Sequence, residues 1–276
     1  MILAVLVMLL SSALYAPALV LQHKGTQQSI GQFSSGQPKF LDLLKNRVWL
    51  SGLILFYVAA VVHIVAISLG SLAVVQPLIV TELIFVPIAA MIISKTAVPG
   101  REWLAIVAVA AALAVFLVVA QPTGGSVKPT VSQWVVFLVA TVLLVLVLMA
   151  LGKRLPTTAR AAVIALAAGI LAATYAVVIK GVFDSTGAAR LVFVLLTLIS
   201  AVTYPLVSAE AFKTGAVTVS SSVMILVNPV FATIVSIWLF QVSVNHSVAA
   251  LAVLAASVVV MVLGVVSLSR NSPIGP

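Results

Sequence analysis

No cysteine occurs in the 276 residues, so disulfides, Cys-ligated zinc, iron–sulfur clusters and thiol catalysis are excluded. Charge is almost as scarce. Charged residues make up 7% of the chain, against about 25% in a usual soluble domain. The sequence also has no Gly-rich nucleotide loop, no cluster of metal-ligating side chains and no Ser/His/Asp set. That argues against an enzyme and against transport driven by the chain's own ATP hydrolysis, and it implies no cofactor. What fills the sequence is apolar: 63% is hydrophobic, in long runs separated by short polar breaks, and a run of about 20 such residues spans a bilayer as a helix. The chain reads as an all-α polytopic protein of the plasma (inner) membrane.

The apolar runs predict nine transmembrane helices: Ile2–Leu21, Val48–Leu69, Leu72–Ser94, Trp103–Ala120, Ser132–Leu151, Ala161–Ile179, Leu191–Ser208, Val217–Phe240 and Val248–Leu268. The first lacks a basic leader and carries Pro17 just after a small-residue stretch, so it reads as a retained membrane helix rather than a signal peptide. Between the first two, Gln22–Arg47 is rich in Gly and Ser and reads as a flexible polar linker. Trp49, Trp103 and Trp134 fall at span ends, where interfacial anchors belong.

Lys and Arg outnumber Asp and Glu 14 to 5, but they stand singly in connections and form no phosphate-binding patch, so nucleic acid is not an expected partner. Because helices alternate sides, the connections form two sets. One holds only Lys128, Lys180 and Arg190, and the other holds the remaining 11 basic residues. The positive-inside rule then places the N-terminus outside, with the C-terminus and the linker in the cytoplasm. Single cysteines at Ser34 and Ser126 are expected to label from opposite sides of the membrane; labelling from one side would break the nine-helix layout.

A weak internal repeat divides the chain. The hairpin around Gly70 runs into Ala73-Val74-Val75-Gln76-Pro77, and the one around Gly215 runs into Val217-Thr218-Val219-Ser220-Ser221-Ser222; each leads to a helix with an internal proline, Pro87 or Pro229. One hairpin turns outside and the other inside. That is the inverted-topology pattern from which many secondary transporters build a midplane site. The first repeat covers 1–120 with four helices, and the second covers 132–269 with five.

Asn228-Pro229-Val230-Phe231-Ala232-Thr233, preceded by Ala216-Val217-Thr218-Val219-Ser220-Ser221-Ser222, resembles the penultimate-helix pattern of the drug/metabolite transporter superfamily, the EamA-type repeat. Leu72-Ala73-Val74-Val75-Gln76-Pro77, followed by Arg101-Glu102-Trp103-Leu104, resembles its first-half counterpart. The nine-helix layout, with Gln22-His23-Lys24-Gly25 and Ile179-Lys180-Gly181, is similar to the NIPA magnesium-transporter branch. The resemblance implies two inverted repeats and transport. Phe240-Gln241 stands where the repeat often has an acidic residue, so no role of that residue is carried over.

Of the five acidic residues, only Glu82 falls deep in an expected span, as the eleventh residue of Leu72–Ser94. A carboxylate there costs about 2.5–3.5 kcal/mol on insertion scales, so it must face a cavity or a partner. It is read as a substrate or coupling residue, against the alternative of a structural hydrogen bond between helices. His63 lies on the preceding helix, about 11 Å below the turn where Glu82 lies about 17 Å below it. Together they are a candidate proton or cation pair. Gln76, Thr81, Asn228 and Ser221 complete the candidate site as polar lining, with helix packing as the alternative for each hydroxyl. Tyr15, Tyr57, Tyr175 and Tyr204 lie within spans instead of at their ends, and one or two are expected to line the cavity.

These residues suggest an alternating-access carrier for a small solute, a metabolite or other small organic compound. One alternative is a NIPA-type magnesium or divalent-cation transporter; another is a non-transporting scaffold or a helper that moves a lipid-linked intermediate. No metal site is assigned. The partners implied are the small-molecule or cation substrate and membrane lipid, and the layout is compatible with a homodimer or a partner membrane protein.

Overall fold

The computed structural model describes residues 2–32, 40–69, 76–95, 97–120, 123–124, 128–213, 217–243 and 247–271. It is a helical bundle: α1 Ile2–Gln32, α2 Phe40–Lys45, α3 Arg47–Leu69, a 3-10 turn Gln76–Val80 leading into α4 Thr81–Ile93, α5 Gly100–Ala120, α6 Val131–Gly152, α7 Thr157–Asp184, α8 Gly187–Phe212, α9 Val217–Leu239 and α10 Val248–Asn271. Among the described residues, eight helices are long and apolar enough to cross a membrane. A two-residue antiparallel bridge, Thr123–Gly124 with Val242–Ser243, joins the connections that follow α5 and α9. The chain is thus a multi-pass, all-helical membrane protein in its architecture.

The expected span Leu72–Ser94 is not one helix of full length. Residues 70–75 lie outside the described ones, and α4 itself has 13 residues, about 20 Å at 1.5 Å per residue. The tight turn before it follows from Pro77, which starts a helix well but restricts the residue before it. The Thr81 hydroxyl holds the turn by donating to the Leu78 carbonyl at 2.6 Å.

The expectation of a flexible linker beginning at Gln22 is corrected: α1 continues to Gln32. Two of its buried polar residues have partners in the same helix. Thr26 and Ser29 hydroxyls donate to the carbonyls four residues back, Gln22 at 2.8 Å and Gly25 at 2.9 Å. Asn46 accepts from the Val48 and Trp49 backbone amides and donates to the Gly25 carbonyl at 3.1 Å, capping α3 and pinning it to α1. Trp49, expected as an interfacial anchor, is 0% exposed and packs with Leu43 and Ala209.

Two glycines let α1 and α3 approach. A Cβ added at Gly25 would stand 2.5 Å from the Trp49 nitrogen and 2.7 Å from its Cα, and one at Gly52 would stand 2.8 Å from the Ala18 carbonyl oxygen. Lipid offers no hydrophobic drive for helices to associate, so close backbone packing over small residues carries much of the stability. Gly25→Ala is therefore expected to destabilise the bundle by about 1–3 kcal/mol, since backbone rather than a movable side chain must yield. Thermal unfolding in detergent checks it; an unchanged midpoint would mean that α1 and α3 separate freely.

The outward faces are apolar, as lipid demands: Val135, Val136, Val139, Leu143 and Leu146 on α6 are all more than half exposed. The main core lies between the halves of the chain. Val80, Leu83 and Val86 share one buried cluster with Val223, Met224, Ile225 and Leu226, so α4 and α9 meet inside the bundle. Ile179-Lys180-Gly181 has a packing role. The Lys180 ammonium stands 4.0 Å over the Phe240 ring, and a Cβ on Gly181 would come 2.6 Å from the Phe193 ring.

Candidate functional site

Glu82 stands in the first turn of α4, and at 7% exposure it is held inside the main core. The groups around it come from both halves. Glu82 is within electrostatic reach of the Tyr15 and Tyr204 hydroxyls, which stand 3.1 Å from each other. The Tyr204 hydroxyl donates to the Met224 sulfur at 3.9 Å, so the proton between the two tyrosines is the one that Tyr15 donates. Phe56 stacks on Tyr204 with centroids 5.2 Å apart, and tilts against Tyr15 at 5.1 Å. Tyr15, Phe56, Tyr204 and Met224, from α1, α3, α8 and α9, thereby form one contact group, and they share the main core with Leu83, the neighbour of Glu82 on α4.

Pro205 explains how α8 is held there. A proline has no N–H, so the carbonyl four residues earlier loses its helical donor; in α8 that carbonyl belongs to Ala201. The Tyr57 hydroxyl donates to it at 2.5 Å, and Tyr57 is edge-on to Phe56 at 5.4 Å. The carbonyl freed by Pro205 and the aromatic cluster are thus joined through Tyr57. Tyr57→Phe removes the side-chain donor that this carbonyl has among the described residues, and is expected to cost about 0.6–1.7 kcal/mol, the range of hydrogen bonds between membrane helices. Equilibrium unfolding in mixed micelles measures it, and a cost near zero would mean that the carbonyl freed by Pro205 needs no cap.

The other candidate residues are placed less closely. His63 is half-buried on α3, and no hydrogen bond or ion pair joins it to Glu82. The expected pair is therefore not formed. Its position is set by α3, whose end packs through Ala66 onto Ala4 and Met8 of α1, with Leu78 and Ile79 of the turn before α4 beside them. Thr81 is half-buried with its hydroxyl on the Leu78 carbonyl. Ser221 is fully buried and donates to the Val217 carbonyl at 2.5 Å. Asn228 is half-buried beside Pro229 on α9. Gln76 opens the 3-10 turn, and its side chain lies outside the described ones.

The hydroxyls of Ser12 and Ser220 are fully buried and meet no partner among the described groups, and Ser12 lies one turn from Tyr15 on α1. Buried hydroxyls without partners are costly, which makes both available to a bound polar solute. Two clefts open near the bundle surface. One of about 210 Å³ lies between α1 and α4, with Ala16, Pro17, Phe85 and Ala89 in its wall, and one of about 200 Å³ is lined by Ile64, Phe183, Val194 and Leu198 among others. Both are apolar, and both fall below the roughly 300–1,000 Å³ of a usual ligand site. Among the described residues no three His, Asp or Glu side chains group as metal ligands.

Sequence reasoning marked Tyr15 and Tyr204 as intramembrane tyrosines away from the interfacial belts, but did not single them out. Their shared point appears only when α1 and α8, 189 residues apart at these positions, are packed together. Phe56 and Met224 carried no distinguishing sequence signal. Set against family models, curated proteins and solved structures, the chain matches none.

Proposed function

We propose that this chain is a secondary carrier that moves a small solute across the plasma membrane by alternating access, built on the drug/metabolite transporter plan of two inverted repeats. The single observation that carries the reading is the convergence at Glu82. A titratable carboxyl group is buried in the core of a lipid-facing bundle, in the same core where tyrosines contributed by both halves meet. Burying such a group is expensive and marks an ion or substrate pathway. A site shared between repeats is also what rocking of one repeat against the other would open first to one side and then to the other.

In this reading Glu82 holds the coupling proton or the charged group of the solute. The Tyr15 and Tyr204 hydroxyls orient it, and Phe56 gives the solute a flat apolar wall. Ser12 and Ser220 supply further polar contacts along the path. The core is closed around Glu82, as an occluded or one-sided state requires. Magnesium as substrate draws less support, because Glu82 is the one carboxylate deep in this core, and hydroxyls, carbonyls and retained waters would have to complete the roughly six oxygen ligands of the ion.

Reconstitution of the purified protein in liposomes tests the proposal, with metabolites and magnesium screened with and without a pH gradient. Uptake of an organic solute that responds to the gradient is the expected result. Uptake of magnesium alone would replace the substrate class, and movement of a lipid-linked compound between leaflets without any solute flux would replace the carrier by a translocation helper.

A further inference from the structure

We infer that His23 and Gln27 of α1 form a latch on Phe212 that closes one end of the bundle by tying the first half of the chain to the second. The inference rests on the carrier reading for its purpose, and on three contacts for its existence. The Gln27 side-chain amide donates to the Phe212 carbonyl at 2.6 Å. The His23 ring meets the Phe212 ring edge-on, with centroids 5.6 Å apart. Phe212 is the last residue of α8 and is fully buried, so its carbonyl is among the last four that a helix leaves without an internal donor. On the same stretch of α1, the Lys24 ammonium donates to the carbonyl of Ile93 at 3.1 Å, the last residue of α4. Lys24 thus holds α1 to its own half while His23 and Gln27 reach the other.

The chemistry of these contacts suits a connection that opens. A side-chain amide on a helix-end carbonyl can be exchanged for water on both groups at a modest net cost, no more than about tenfold in population, because the protein–protein bond replaces two protein–water bonds. The α4–α9 contact is instead made of interlocked apolar side chains, which have no such substitute and keep the centre together. Beside the latch, Leu43 and Trp49 close on Ala209 of α8. The segment Gln22-His23-Lys24-Gly25, at the head of the stretch that composition marks as a linker, is accordingly the piece of the first half that seals this end.

Accessibility of a single cysteine tests the latch without any transport measurement, since the chain has no cysteine of its own. Ser208 is fully buried and lies one helical turn before Phe212, so Ser208→Cys reports opening beneath the latch. Thr174→Cys, also buried, lies 14 residues further along α7 than Arg160, which pairs with Glu210 near the latch. That places it about 21 Å away. In nanodiscs with a polar maleimide, Gln27→Ala and Gln27→Glu are each expected to raise the labelling rate at Ser208→Cys by about tenfold, the population shift of one lost hydrogen bond to a buried group. The exposed neighbour change Gln28→Ala should leave it unaltered, and Thr174→Cys should stay protected throughout. An unchanged rate in both Gln27 variants overturns the latch, and so does a parallel rise at both reporters, which would be loosening of the whole bundle. Faster labelling in a protein that moves no solute would sink the carrier reading and leave the latch standing; intact solute flux with unchanged labelling would do the reverse.

Discussion

Glu82→Gln is expected to insert and purify like the parent chain and to lose transport by tenfold to a hundredfold. Glutamine keeps the size and hydrogen-bonding reach of the side chain but cannot carry charge. The loss follows from a hydrogen bond to a charged group contributing about 1.5–3 kcal/mol, with about 1.4 kcal/mol per factor of ten. Any residual flux should no longer vary with pH over the range in which the parent does. Glu82→Leu should behave differently, weakening the fold as well, because it puts a differently shaped side chain in place of a buried polar group in a packed core. His63→Gln should combine additively with Glu82→Gln, since no hydrogen bond or ion pair joins the two side chains and independent sites add. Proteoliposome flux across a pH series checks all three. Full transport by Glu82→Gln at every pH would reduce the carboxyl group to a structural element and leave the buried hydroxyls as the candidate site. A double variant no worse than the more severe single one would restore the His63–Glu82 pair.

Tyr204→Ala is expected to cost about 3–5 kcal/mol of stability, the usual range for deleting a large ring from a packed core. Three contacts converge on this side chain: the Phe56 stack, the Tyr15 hydroxyl and the Met224 sulfur. Tyr204→Phe separates their roles. It keeps the ring and the stack, so it should fold and melt within about 1.5 kcal/mol of the parent, the upper net value of one hydrogen bond. It removes the acceptor of the Tyr15 proton, so transport should fall by about tenfold if the phenol pair orients the group at Glu82. Thermal unfolding in detergent and flux in liposomes measure the two effects on one protein. A Tyr204→Phe variant with parental flux would mean that the aromatic packing matters and the hydroxyls do not.

The membrane character of the chain was legible from the sequence because it depends on local composition. Long apolar runs, sparse charge and absent cysteine state a solvent and a secondary structure with no reference to distant residues. The deep acidic residue could be found in the same way, since Glu82 is conspicuous against its own neighbours. Pro77, Pro87, Pro205 and Pro229 were visible as places where a helix must turn or bend, for proline lacks its amide hydrogen in every context.

Which groups meet there was decided by the tertiary structure alone. Tyr15 and Tyr204 are 189 positions apart, and the face that each turns inward depends on how α1 and α8 rotate against their neighbours. Helices surrounded by lipid carry no amphipathic stripe from which that rotation can be read, because inside and outside are equally apolar. The pairing of His63 with Glu82 failed for this reason: distance along two helix axes was computable, but facing was not. The helical course of residues 22–32 escaped for a related one. Its glycines and hydroxyls suggest a linker when only local propensity is weighed, yet Gly25 is where the Trp49 backbone fits, and Thr26, Ser29 and Asn46 find their partners only after α3 has folded back along α1.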